Sequence, residues 1–132
     1  MSKIHMVLQG KGGVGKSFIA SMLAQHCYSK DEDLLCIDTD PVNATFHGFE
    51  ALNVNRLDLM EGDEIDSRKF DSLIESISKS ESDVVIDNGA STFVALSHYL
   101  ISNHIPDTLE NMGKELIIHT VITGGQALND TL

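Results

Sequence analysis

Residues Gly10, Lys11, Gly12, Gly13, Val14, Gly15, Lys16 and Ser17 put two glycines, a lysine and a serine at the offsets of a phosphate-binding loop. Glycines let consecutive backbone N–H groups curl around an anion without Cβ clashes. A helix starting at the loop's end adds the positive end of its dipole. Lys16 is then expected to reach the β- and γ-phosphates of a nucleoside triphosphate, and the Ser17 hydroxyl to ligate Mg²⁺. Phosphoryl transfer further needs cations near the γ-phosphate and a group that orients the attacking water. Carboxylates are available for these tasks. Asp87 follows three apolar residues and fits the role of holding Mg²⁺ through water. Asp38 and Asp40 stand two apart at the end of an apolar run, so extended backbone would aim one at the metal and the other at the water. Asp40 precedes Pro41, and Asp-Pro pairs also initiate turns, but a second carboxylate and a phosphate loop favour the chemical role.

These residues need strands that end where the loops begin. Ile4–Leu8, Leu34–Ile37 and Val84–Ile86 are short apolar runs of the kind buried on both faces of a parallel sheet, and Leu116–Ile122 is the last such run. Between them, helical periodicity predicts a helix over 16–30 with Ile19, Met22, Leu23 and Cys27 on its sheet side. A second carries Phe70, Leu73, Ile74 and Ile77 behind an N-cap at Asp66 or Ser67. A third, capped by Ser91 or Thr92, carries Phe93, Leu96, Tyr99 and Leu100 and ends near Pro106. A short helix over Thr108–Met112 is stopped by Gly113, and another opens after Gly124 and Gly125. Leu57 and Leu59 alternate with polar residues as in a short edge strand. The alternation predicts an α/β fold, a mostly parallel sheet with helices on both faces, and a ligand beyond the strand carboxyl ends.

The chain has 132 residues, 42% of them hydrophobic and 22% charged, which suits one globular domain over residues 1–132. It is short for a doubly wound nucleotide-binding domain of roughly 200 to 250 residues. Twenty acidic against nine basic residues give a formal charge of −11, which removes the electrostatic attraction behind most nucleic-acid affinity and argues against DNA binding by this chain alone. The acidic clusters Asp31, Glu32, Asp33 and Glu61, Asp63, Glu64, Asp66 read as solvated connections. No run approaches a membrane span or an export signal, so a cytoplasmic location is expected. Cys27 and Cys36, and the six histidines, lack metal-ligand spacing; the cysteines read as small buried hydrophobes.

With its early lysine, Lys11, the loop resembles the deviant Walker-A ATPases of ParA/MinD type, a family of P-loop NTPases in plasmid partition and division-site placement. That resemblance implies that Lys11 crosses an ATP-dependent homodimer to the partner's phosphates. It also implies that Asp38-Thr39-Asp40-Pro41 is switch I with Asp40 positioning the hydrolytic water, that Asp87 opens switch II, and that residues 10–18, including Phe18, bind the nucleotide. Catalysis would fall to Lys11, Lys16 and Asp40, and Mg²⁺ to Ser17, Asp38 and Asp87. Segments 4–17, 36–46, 51–66, 87–103 and 119–131 further resemble conjugal-transfer proteins of broad-host-range plasmids, which implies a slow ATPase and dimerisation switch accessory to DNA transfer or type IV secretion. The alternative is a nucleotide-binding scaffold that recruits a transfer-machinery partner without significant hydrolysis. Two departures stand out. Asn88, Gly89, Ala90 and Ser91 follow Asp87 where the family carries prolines, and the family continues past Leu132, implying a domain cut short whose last strand exposes apolar surface. No cysteine follows Asp87, which removes the related iron–sulfur reductases.

Overall fold

The computed structural model describes residues 2–11, 15–30, 33–40, 45–61, 64–125 and 128–132. Gly12, Gly13 and Val14 of the phosphate loop, Asp31 and Glu32, Pro41, and Asp63 lie outside the described residues. Five strands form one parallel sheet: β1 (Ser2–Val7), β2 (Leu34–Asp38), β3 (Asn55–Arg56), β6 (Asp83–Asp87) and β7 (Lys114–His119), in the order β3-β2-β6-β1-β7. A two-stranded antiparallel ribbon, β4 (Met60–Glu61) and β5 (Glu64–Ile65), lies apart from it. The chain runs from β1 outward to β2 and β3, returns to lay β6 beside β1, then crosses to β7 on the other side. The carboxyl ends of β2, β6 and β1 are therefore neighbours, and a reversal in strand order of this kind opens a crevice for ligands.

Helices cover both faces. α1 (Lys16–Lys30) packs on one, and α2 (Ser67–Lys79), α3 (Phe93–Ser102) and α4 (Ile105–Asn111) pack on the other. Strand residues divide between the faces by their period of two, so Val84 and Ile86 join the α2–α4 core while Val85 joins the α1 core. That two-sided burial is why β6 reads as an uninterrupted apolar run. A last short helix, α5 (Leu128–Thr131), closes the described chain.

Several elements differ from expectation for local reasons. α1 presents Cys27 to the sheet as expected, with Leu23 packed partly against the same core, but Ala20 and Ala24 complete the contact while Met22 is 52% exposed. Small side chains at i, i+4 and i+7 let the helix lie close to the strands, and that advantage outweighs Met22's bulk. Pro106 begins α4 instead of ending α3. α3 stops at Ser102, His104 adopts left-handed backbone (φ 51), and the proline occupies the first turn of the next helix, where a missing N–H costs nothing. The edge strand β3 sits at Asn55–Arg56, just before Leu57, whose amide still bonds the Asp38 carbonyl at 2.9 Å; Leu59 is fully buried in the core. Asp66 is the N-cap of α2, accepting the Arg68 amide at 3.0 Å. Thr92 makes no side-chain cap bond for α3; its hydroxyl donates to the Gly89 carbonyl at 2.8 Å. β7 begins two residues earlier than the apolar run and ends at His119, leaving Ile118 and Ile122 about half exposed along this sheet edge.

Candidate functional site

β1 ends at Val7, and Leu8 still bonds the His119 carbonyl at 2.9 Å before the chain turns into the glycine loop. Geometry favours glycine at two positions. Gly10 lies against the Phe93 ring, where a Cβ would meet Cδ1 at 3.1 Å, and Gly15 takes φ +92, which side chains avoid. The Gly15 carbonyl then accepts the Ile19 amide at 3.0 Å, so α1 starts as the loop ends. Lys16 is buried in the first turn of α1 (8% exposed). The Ser17 hydroxyl donates to Asp87 Oδ2 at 2.6 Å, joining the phosphate loop to the end of β6. A buried carboxylate beside a hydroxyl is a pair of hard oxygen donors, the donor set that suits Mg²⁺. The hydroxyl has one proton and gives it to Asp87, which leaves its lone pairs for an ion.

Burial pushes the Asp87 carboxyl up to about 6. The Ser17 hydrogen bond and Lys16 oppose the shift, while Asp38 and Asp40 add to it. Asp38 is fully buried, and its two oxygens accept the amides of Asp40 (3.0 Å) and His47 (2.9 Å). Its pKa is also raised, because burial outweighs those two amides. Asp38 thus shapes the turn that carries Asp40. Asp40 is 9% exposed, and its carbonyl accepts Arg56 Nη2 at 3.0 Å. Lys16, Ser17, Asp38, Asp40 and Asp87 therefore converge at the carboxyl ends of three adjacent strands.

Lys11 and Phe18 sit at the rim. Phe18 is 63% exposed, and Lys11 Nζ lies 3.6 Å from Asp130 of α5. The remaining loop residues, Gly12 to Val14, lie outside the described chain.

Gln9, Asn88 and Thr39 tie this region together, although the sequence marked Thr39 only as part of the switch I string, Asn88 only as a departure after Asp87, and Gln9 not at all. Asn88 is fully buried; its side-chain amide donates to the Val7 carbonyl at 3.2 Å and its Oδ1 accepts the Thr39 hydroxyl at 2.9 Å. It thereby crosslinks the ends of β6, β1 and β2. Gln9, 5% exposed, donates to Thr120 Oγ1 (3.1 Å) and to the carbonyls of Val121 (2.8 Å) and Thr131 (3.2 Å), fastening the loop to the chain beyond β7. Polar residues directly after apolar strands were the available signal for both. Thr39 had the same signal and lay hidden between two carboxylates.

Residues 5–127 match the CobQ/CobB/MinD/ParA nucleotide binding domain family. Two relatives from Escherichia coli, each named Protein TraL, are 65% and 67% identical over all 132 residues. The chain spans 55% of the length of these relatives. No solved structure gives a significant match. Among the described residues, no helix is long and apolar enough to cross a membrane.

Proposed function

The chain belongs to the CobQ/CobB/MinD/ParA nucleotide binding domain family, and on that premise we propose that it binds Mg²⁺-ATP as a slow, ATP-dependent dimerisation switch serving conjugative DNA transfer or type IV secretion. The observation that carries the reading is the Ser17–Asp87 hydrogen bond at the mouth of the loop, with Lys16 buried beside it. Backbone amides of residues 10–17 hold the phosphates, and the Lys16 ammonium balances the β- and γ-oxygens. Ser17 Oγ and Asp87 would hold Mg²⁺, which when bound would neutralise charge on the phosphates. Asp40 accepts a hydrogen bond from the attacking water and orients it, supported by the turn that Asp38 fixes. Lys11, exposed at the rim, supplies its charge to the nucleotide of a second copy, which is how dimerisation senses ATP. The name of the relatives supports the conjugative setting.

The test is a titration of ATP, GTP and ADP with Mg²⁺ against the chain and its Lys16→Ala variant, with the size of each bound state measured by analytical ultracentrifugation. ATP should bind and produce dimers, and Lys16→Ala should weaken binding by roughly 10- to 100-fold, the value of a charge-assisted contact. Equal binding by both proteins would overturn the assignment. One observation favours a second reading, a scaffold that binds nucleotide without useful turnover. Asn88 bolts down the segment after Asp87, which in a working switch has to move. Single-turnover phosphate release no faster than in Asp40→Ala would select the scaffold.

A further inference from the structure

Ser17 and Cys27 lie near opposite ends of α1, about 15 Å apart along the helix axis. At the Cys27 end, three elements distant in sequence bring together a ring nitrogen of His5 (β1), Sγ of Cys27 (α1) and a carboxylate oxygen of Asp83 (β6). These three atoms all lie within 4.8 Å of one another. The pairing of β1 with β6 sets Ile4 beside Val84, and α1 carries the thiol over both strands.

Two of the three groups are oriented from outside the cluster. His5 Nδ1 is hydrogen-bonded to His119 Nε2 at 3.0 Å, with the two rings stacked at 5.2 Å. In the tautomer where His5 donates from Nδ1, its Nε2 is a bare lone pair. Asp83 Oδ1 accepts the Lys3 amide at 2.8 Å. Bonds of this kind, from a histidine's second nitrogen and to a ligating carboxylate, are what position metal ligands in proteins. A cavity of about 190 Å³ opens on the group, bordered also by Lys3, His26 and Lys30, with room for an ion and a further ligand.

We infer that His5, Cys27 and Asp83 form a binding site for a borderline-soft divalent ion of the zinc type, with a fourth ligand from the cavity completing a tetrahedron. Thiolate and imidazole donors favour Zn²⁺ or Co²⁺ over Mg²⁺ and Ca²⁺. A thiolate and a carboxylate together cancel the charge of the ion, so the occupied site adds no net charge to the sheet. The thiol proton leaves to solvent as the ion binds. This site shares no ligand with the phosphate loop.

The 132-residue chain, stripped by chelator and held in excess Mg²⁺, is titrated with Co²⁺ as the spectroscopic probe and then with Zn²⁺ in competition. One equivalent should bind with a thiolate-to-cobalt charge-transfer band that Zn²⁺ abolishes and Mg²⁺ does not. The band should vanish in Cys27→Ser and persist in Cys36→Ser. Asp83→Asn should weaken binding at least tenfold, and His119→Asn by about 10- to 100-fold, the usual effect of losing an outer partner. Alkylation of the unmutated chain gives a readout independent of any variant's folding: Zn²⁺ should slow modification of Cys27, located by mass spectrometry. Absence of the band, its survival in Cys27→Ser, or unchanged alkylation of Cys27 would each overturn the site.

Discussion

The two faces of the sheet are built differently. Against α2, α3 and α4 the strands present Ile4, Met6, Ile37, Val84 and Ile86 to Phe70, Leu73, Ile77, Leu96 and Leu100, all apolar and nearly all inaccessible to water. On the α1 face the helix meets the strands through Ala20, Ala24, Cys27, Val7, Cys36 and Val85, with one buried aromatic, Phe46, and Val54 in the same cluster, and ionisable groups stand at both ends of the helix: Lys16 and Asp87 at one, His5 and Asp83 at the other. Large interchangeable side chains make the first face a source of stability. Small residues make the second a close approach that leaves strand ends and helix ends free to hold polar groups. The difference separates folding from chemistry on opposite sides of one sheet, and mutations can test how completely.

The largest effect is expected on the apolar face. Phe70 is 2% exposed and its ring packs on Tyr99 at 5.2 Å, so Phe70→Ala should cost about 3–5 kcal/mol in urea unfolding. Nucleotide affinity of the fraction that remains folded should not change. A matching loss of affinity would show that the two faces are coupled.

This division also explains what the sequence made legible. The α2 stripe of Phe70, Leu73, Ile74 and Ile77 and the Val84–Ile86 run announce themselves because apolar bulk recurs at the structure's own period. On the α1 face Cys27 was legible, but Ala20 and Ala24 were too small to register beside Met22, which faces out. The position of the glycine loop between β1 and α1, and of Asp87 at the end of β6, was readable because the one is contiguous and the other ends an apolar run. Asn88, Gln9 and the His5–Cys27–Asp83 cluster were not, because their partners come from other elements and only the fold brings them together.

The next effect tests the polar end of the α1 face through pH. Asp87 has a folded pKa of about 6 against an ordinary 3.8, so the folded chain holds this proton more tightly than the unfolded one. Below the ordinary value both states are protonated and the group costs nothing. As pH rises from about 4 through about 6, the folded state must carry a buried charge and loses up to about 3 kcal/mol. Raised Asp38 adds in the same direction. Without nucleotide and metal, Asp87→Asn should therefore gain on the parent chain as pH climbs through that window in urea denaturation. Parallel curves would mean that Asp87 is better solvated than its burial indicates.

Asn88 allows a finer test. Removing its side chain takes a partner from the Thr39 hydroxyl and from the Val7 carbonyl, both of which retain a second bond, to the Asp87 carbonyl and the Asn88 amide respectively. Asn88→Ala should cost about 1–3 kcal/mol, less than Phe70→Ala. If Asn88 is also what restrains the segment after Asp87, hydrogen exchange of residues 88–92 should quicken more than that of β1 and β2. Uniform acceleration would reduce Asn88 to an ordinary buried amide.

The smallest expected effect on folding belongs to Lys11, and it tests the division most sharply. Lys11 Nζ and Asp130 Oδ2 are 3.6 Å apart, with side chains 46% and 60% exposed, and an ion pair this open to solvent and salt is worth about 0–1 kcal/mol. Lys11→Ala should therefore shift the unfolding free energy by less than about 0.5 kcal/mol. If the proposed switch is right, the same substitution should abolish ATP-dependent dimers in sedimentation. Asp130→Ala breaks the same ion pair but keeps the lysine, so it should leave dimers intact. Loss of dimers in both variants would assign Lys11 to holding α5 in place, and their persistence in Lys11→Ala would remove the lysine from the switch.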